Sequence, residues 1–327
     1  MIILEKGKRF AMPELRNEYL CLEIQKPGEN YSGARFDWSG QIIQINFLNK
    51  HTFCTRETLN KFNRKKHGRG LYNEFGIDQP VGYNDCPVDG FFPKIGIGLL
   101  KKKSLQPYDF FENYKIEPFD FSTSFKKDSA FFNCKTNNNR GYSFELKKQI
   151  VLDKNKFTIS YSLFNSGSNT IQTNEYVHNF LSINENKIDE NYVLFFSFPL
   201  NPENFTKSVN PGNSANFKKD YCTWKSFGKG QFFFSNINTM HKGKENWTLI
   251  HLKDKVGISE SAGFIIQKVN LWGASHVISP EIFFQIDVQP GETITWSRLF
   301  EIFDFSGIQP EKYNFLSMKN RILLIQN

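Results

Sequence analysis

Along most of the chain, apolar and polar residues alternate with a period of two, the pattern of strands that bury one face. The clearest case is Phe157–Phe164: Phe157, Ile159, Tyr161 and Leu163 point to one side, and Thr158, Ser160 and Ser162 to the other. Ser143–Leu152 precedes it across the polar Asp153–Lys156 connection, and Asn165–Ser168 leads on to a third alternating stretch, Thr170–Ile183. A parallel return needs a crossover of about a dozen residues or more, so these short connections predict a three-strand antiparallel meander.

The same texture returns in Ala34–Phe47, bent at Ser39–Gly40, and in Tyr192–Phe198, Gln231–Phe234, Asn246–Leu252 and Gly263–Trp272. Near the end, Glu281–Val288 and Thr293–Phe303 flank Gln289-Pro-Gly-Glu292, whose Pro-Gly pair predicts the turn of a closing hairpin. Two segments predict short helices: Thr55–Arg64, and Pro310–Leu324, which opens with a proline followed by Glu311. Strands do not alternate with long helices, which argues against a doubly wound α/β fold. No repeat of about 20 to 50 residues points to a propeller or solenoid. Without a Pro/Ser/Gly-rich linker, the expected architecture is all-β, one large antiparallel β-sandwich domain over residues 1–327 with few short helices.

Composition narrows the class. The chain has 327 residues and a formal charge of +8, and 16% of it is aromatic, including 35 phenylalanines. That much buried-type surface implies a sizeable core. No uninterrupted apolar stretch approaches the roughly 20 residues of a membrane helix, and the richest, Phe91–Leu100, is broken by Pro93, Lys94 and glycines. The opening MIILEKGKRF lacks the positive-then-apolar order of a signal peptide. Cys21, Cys54, Cys86, Cys134 and Cys222 are odd in number and form no CxxC pair, so neither a disulfide framework nor a zinc site is indicated. These features predict a cytoplasmic protein with no membrane partner. Basic residues gather in Lys61–Arg69 (KFNRKKHGR) and Lys101–Lys103. No helix-turn-helix, zinc finger or RRM-type motif accompanies them, so they read as solvated loops and no nucleic-acid partner is expected.

Sequence signatures of nucleotide enzymes, zinc proteases and α/β hydrolases are missing. The six histidines are His51, His67, His178, His241, His251 and His276, and no two are spaced as local metal ligands. His178 lies in Glu175-Tyr-Val-His-Asn-Phe180, sharing a strand face with Tyr176 and Phe180. It is either a hydrogen-bonded core histidine or a general acid or base held on a rigid strand. Glu281, in Ile278-Ser-Pro-Glu-Ile-Phe-Phe-Gln285, opens an apolar strand. It either points to solvent or is buried, with its pKa raised into the range of a base working near neutrality. Glu292, Arg298 and Glu301 read as surface charges of the closing hairpin.

An ordered set of segments resembles the galactose mutarotase-like superfamily, the aldose 1-epimerases and their bacterial relatives. The set is Gly33-Ala-Arg-Phe-Asp-Trp-Ser-Gly40; Glu74-Phe-Gly76; Gly90-Phe-Phe-Pro-Lys-Ile-Gly-Ile-Gly98; Tyr176-Val-His-Asn-Phe180; and Ser279-Pro-Glu281 followed by Pro290-Gly291. It spans roughly residues 30 to 305 and looks most like a divergent bacterial branch. The resemblance implies a twisted β-supersandwich with a sugar cleft on a concave sheet face. It implies that His178 is the general acid, Glu281 the general base, and Arg35 a holder of sugar hydroxyls. The family's Asn-His dipeptide is His178-Asn179 here, which makes Asn179 a candidate sugar contact. Its second histidine has no counterpart; Glu74 stands in that region. Lys94 and Arg35 would suit an anionic sugar.

The implied reaction interconverts the α and β anomers of a sugar by opening and closing the hemiacetal. Glu281 takes the proton of the anomeric hydroxyl, His178 protonates the ring oxygen, and the roles reverse on closure. The two groups are then expected to flank the sugar in one polar, aromatic-walled cleft, with Trp38, Trp224 or Trp272 as candidate stacking residues. No metal and no organic cofactor is needed, and the partner is a small-molecule carbohydrate. Two other functions fit the same resemblance: a carbohydrate-binding module without turnover, and an isomerase acting on a phosphorylated or acidic sugar.

Overall fold

Period-two alternation becomes strands throughout the residues described by the computed structural model: 12–62, 64–238, 243–244 and 246–307. Among these residues the strands form two ten-stranded antiparallel sheets and one three-stranded sheet. The first sheet has at its centre Gly70–Phe75, Ile171–Phe180, Val277–Val288 and Val269–Ala274, in that spatial order. The second includes Val256–Ala262, Thr293–Asp304, Lys156–Asn165 and Phe144–Asp153. Apolar side chains from both form one continuous core. No helix among the described residues is long and apolar enough to cross a membrane.

The hairpin of Phe144–Asp153 and Lys156–Asn165 is in register from Phe144–Asn165 to Asp153–Lys156, turning at Lys154, which takes a φ of 54°. The meander expected beyond it does not form. Lys156–Asn165 pairs on its other side with Thr293–Asp304, whereas Ile171–Phe180 crosses to the first sheet, between Gly70–Phe75 and Val277–Val288. The Pro290-Gly291 turn likewise joins the two sheets and is no hairpin. Stacked sheets lie about 10 Å apart, a distance that a short loop spans as readily as it makes a hairpin. Asn165 ties the two corners together: its side-chain amide donates to the carbonyls of Asn169 and Val288, both at 2.9 Å, and its own carbonyl accepts from Gly291 at 2.8 Å.

Three smaller expectations also change. Thr55–Arg64 is no helix: Thr55 and Glu57 donate their backbone N–H groups to Phe180 and Gly68, and only a single 3-10 turn, Arg64–Lys66, forms nearby. These cross-chain bonds outweigh local helix preference. Of Ala34–Phe47 and Gly263–Trp272, only the later parts are strands, Gln41–Phe47 and Val269–Ala274. The helix predicted over Pro310–Leu324 lies outside the described residues, as does His241.

Arg298 is the largest departure. It is 0% exposed, in phase with Trp296 and Phe300 on the inward face of its strand. Nη1 donates to Glu260 at 2.5 Å, and Nη2 donates to Glu175 at 2.7 Å and to the carbonyl of Ile282 at 2.9 Å. The indole N–H groups of Trp296 and Trp247 complete the shells of Glu175 and Glu260. Glu175 belongs to the same strand as His178, so this triad bolts that strand to the second sheet. Removing one member of a buried ion cluster leaves the others uncompensated and typically costs about 3–5 kcal/mol. Arg298→Met should therefore lower the unfolding free energy by about that amount in urea denaturation. Neutralising Glu175 and Glu260 to Gln in the same chain should restore part of the loss; no loss in the single variant would contradict the assignment.

Candidate active site

Alternation along Ile171–Phe180 sorts its residues. Glu175, Val177 and Asn179 face the inter-sheet core; Tyr176, His178 and Phe180 face outward. On the neighbouring strand Ser279, Glu281 and Phe283 share that outer face. Tyr176 faces Phe283 and Leu181 faces Ile278 in one register, which sets His178 directly across from Glu281. The outer face is not bare. The three-stranded sheet Phe91–Lys94, Gly98–Lys101 and Ile116–Pro118, with aromatic residues such as Tyr31, Phe36 and Tyr114, covers it with a second apolar cluster.

Within this cover His178 and Glu281 are only 3% and 4% exposed. His178 Nε2 lies 3.4 Å from Glu281 Oε1, and Ser279 Oγ lies 2.8 Å from His178 Nδ1. The Ser279 hydroxyl donates to Glu281 Oε1 at 3.2 Å. That bond leaves Ser279 Oγ to accept from Nδ1, so Nε2 is the basic nitrogen and faces the carboxyl. The imidazole is stacked on Phe180 at 4.0 Å and met edge-on by Trp272 at 5.1 Å and Phe36 at 5.9 Å. Burial in this surrounding, with the positive charge of Arg35, holds the His178 pKa well below 6.5. Burial pushes Glu281 up to about 8, against the opposing pull of Arg35 and of the Ser279 hydrogen bond. Near neutrality the two therefore hold a single proton between them, on the carboxyl.

A charged cluster adjoins the pair. Arg35 donates to Glu74 at 2.8 Å, to Glu57 at 3.3 Å and to the Tyr176 hydroxyl at 3.0 Å. Its burial opposes the charge, but Glu74, Tyr176 and Glu57 outweigh that and hold it above its ordinary range. The Tyr176 hydroxyl donates to the same Glu74 oxygen at 2.7 Å. Lys94, brought in by the three-stranded sheet, lies 3.8 Å from the other Glu74 oxygen and donates to the Gly76 carbonyl at 3.0 Å. Burial lowers its pKa to about 8, with Glu74 partly offsetting the shift. Glu74 Oε1 and the Tyr108 hydroxyl are both covered and have no hydrogen-bond partner. Beyond Arg35 a cavity of about 320 Å³ opens, lined by Arg35, Glu57, His67, Phe110, Phe111 and Tyr114.

No family model and no curated protein matches the sequence. Solved structures do. A galactose mutarotase related enzyme from Lactobacillus acidophilus is 12% identical with a TM-score of 0.57, the match covering 90% of this chain and 97% of that one. An aldose epimerase homologue from C. elegans is 9% identical with a TM-score of 0.55, over 90% and 99% of the two chains. A galactose mutarotase-like protein from Clostridium acetobutylicum is 14% identical with a TM-score of 0.53, over 89% and 95%. The chain has the galactose mutarotase-like fold. Identities this low speak to the fold alone.

On the galactose mutarotase-like fold, four of the six residues singled out from the sequence converge directly: His178 with Glu281, and Arg35 with Glu74. Lys94 joins through Glu74. Asn179 does not. It is 0% exposed on the inward face, donating to Glu260 at 3.1 Å and to the Pro280 carbonyl at 2.6 Å, so it braces the core and contacts no outer-face ligand. The pair also departs from expectation in being in direct contact and covered, rather than flanking an open cleft. Trp272 is the only tryptophan of the three candidates beside His178; Trp38 and Trp224 are core residues. Glu57 and Tyr108 escaped the sequence reading, and Ser279 and Tyr176, though quoted there, received no site role. Ser279 was accessible to it, lying two residues before Glu281 and so on the same strand face. No three His, Cys, Asp or Glu side chains converge as a metal site among the described residues.

The Glu281 shift has a stability consequence. Between pH 4.5 and about 8 the unfolded chain ionises this carboxyl while the folded chain keeps it protonated, so the fold loses stability as pH rises through that window. Glu281→Gln should therefore melt higher than the parent protein at pH 9 and gain much less at pH 5. Equal differences at both values, by thermal denaturation, would show that Glu281 is not held protonated.

Proposed function

We propose that this chain is an aldose 1-epimerase-type enzyme that interconverts the α and β anomers of a sugar, with His178 and Glu281 as its proton-transfer pair. The observation that carries the reading is the 3.4 Å contact of an imidazole and a carboxyl in a nearly water-free aromatic setting, sharing one proton. Ring opening needs a group that gives a proton and another that takes one at the same moment. A one-proton pair supplies both, and the exchange of roles on closure returns it to its starting state. The assignment implied by the family resemblance, His178 giving to the ring oxygen and Glu281 taking from the anomeric hydroxyl, corresponds to that proton having moved from Oε1 to Nε2.

Binding residues fit a polyhydroxylated ligand. Glu74 Oε1, with only the Lys94 ammonium at 3.8 Å, and the Tyr108 hydroxyl are buried without a hydrogen bond, a costly state that a sugar hydroxyl relieves. Arg35 and Lys94 supply donors beside them, and the half-buried Trp272 offers an aromatic face. The sugar enters from the 320 Å³ cavity beyond Arg35, and its arrival displaces Arg35 and Phe110, whose ring lies 4.4 Å from the guanidinium. The direct contact and cover of the pair favour a second reading, a carbohydrate-binding protein without turnover.

NMR exchange or polarimetry on freshly dissolved hexoses, pentoses and a hexose 6-phosphate separates the two. The enzyme reading expects acceleration over buffer, with His178→Ala and Glu281→Gln each lowering kcat/KM by about 10²–10⁴-fold. The rate should hold through pH 6.5, where ordinary histidines titrate, and fall above about 8 as the pair loses its proton. Sugar binding with exchange no faster than buffer would leave only the binding protein.

A further inference from the structure

The basic run Lys61–Arg69 is only partly a solvated loop. Arg64, Lys65 and Arg69 come together with Arg56, His67 and Tyr72 around a cleft of about 260 Å³. Arg56 and Arg69 are direct partners in an antiparallel bridge, and like charges placed opposite one another across strands destabilise the pairing. Among the described residues no carboxylate forms an ion pair with Arg56, Arg64, Lys65 or Arg69. Glu57, next to Arg56 in the chain, is committed to Arg35 at 3.3 Å, to His67 at 3.5 Å and to the backbone N–H of Gly68 at 2.8 Å. Half-buried beside Arg69 and Arg64, the Arg56 guanidinium is held below its ordinary pKa.

The arrangement is built into the backbone. A Cβ at Gly68 would lie 2.2 Å from the Phe180 ring, and one at Gly70, where φ is 72°, would lie 2.2 Å from the carbonyl oxygen of Ile42. Both glycines let the chain press onto the sheet and so fix Arg69 between them. The Arg56 carbonyl is in turn 3.1 Å from His276 Nε2. Cations converging on one cleft, two of them held opposite one another with no ion-paired acid among the described residues, make it favourable for an anion of high charge. Forked guanidinium donors match tetrahedral oxyanions bidentately.

We propose that the Arg56–Arg69 cleft is a binding site for a phosphate-type oxyanion, the terminal group of a phosphorylated sugar. Two features connect it to the candidate active site: His67 lines both this cleft and the cavity beyond Arg35, and Tyr72 faces His178 across paired strands. The oxyanion site stands on its own geometry; its link to a sugar rests on the function proposed above.

Calorimetric titration with inorganic phosphate, a hexose 6-phosphate and the unphosphorylated hexose tests it on the whole chain. Wild type should bind phosphate saturably, and Arg56→Gln should weaken that by about tenfold or more. The doubly exposed Arg64→Gln/Lys65→Gln variant, which touches no core, should do the same. In phosphate-free buffer Arg56→Gln should melt no lower than wild type, since it relieves repulsion, and phosphate should raise the melting temperature of wild type only. Hexose 6-phosphate binding tighter than inorganic phosphate supports the sugar link; equal affinities overturn that link and keep a free-anion site. No saturable binding at millimolar phosphate overturns the whole proposal. So does tighter, steeply salt-dependent binding of a short DNA duplex, which would make the cleft a nucleic-acid surface. Anomerisation of free hexoses without phosphate binding defeats this inference alone, and phosphate binding without anomerisation defeats only the enzyme reading.

Discussion

The candidate site depends on one buried ion triad that lies outside it. Arg298, reaching from the second sheet, holds Glu175 of the strand that carries His178, and Glu260 of its own sheet holds Asn179. Charges removed from water in this way are tolerated only when every partner is in place. The strand is therefore fixed in rotation and in register, because a slip of one residue would put Glu175 and Asn179 outside and His178 into the core. The outer face inherits its precision from the inner one.

That precision matters because the outer-face chemistry is electrostatic. The same aromatic cover that makes an apolar cluster of Tyr31, Phe36, Tyr72 and Phe180 strips water from His178, Glu281 and Lys94. Desolvation moves the imidazole and the ammonium down and the carboxyl up, so the Glu281 carboxyl and the Lys94 ammonium meet at about 8 while the His178 imidazole falls below the carboxyl, reversing their ordinary order. Two of them hold a proton jointly. Arg35 stays charged because it has Glu74, Glu57 and Tyr176 around it, and it stands between this covered pocket and the cavity beyond.

Much of this was legible in the residues. Strand positions followed from alternation, and the face shared by Tyr176, His178 and Phe180 was already written in Glu175–Phe180. Arg298 was legible too, in phase with Trp296 and Phe300, but reading its charge before its phase placed it on the surface. Sheet partnership was not legible. Ile171–Phe180 and Val277–Val288 are covered on both faces, so their polarity does not say which neighbour they take, and short loops serve hairpins and sheet corners alike. Asn179 was misplaced through a dipeptide likeness, although alternation alone sends it to the face opposite His178. The basic run at Lys61–Arg69 read as loop because its partner, Arg56, is brought to it only by the folded chain.

The central claim is that one proton is held between His178 Nε2 and Glu281 near neutral pH. ¹⁵N NMR of the His178 imidazole across a pH titration tests it most directly. The account predicts a neutral ring with basic Nε2 throughout the range around pH 6.5, and a change at Nε2 near pH 8 as Glu281 ionises. An imidazole that takes up its own proton near 6.5, with no response at the higher step, would contradict it.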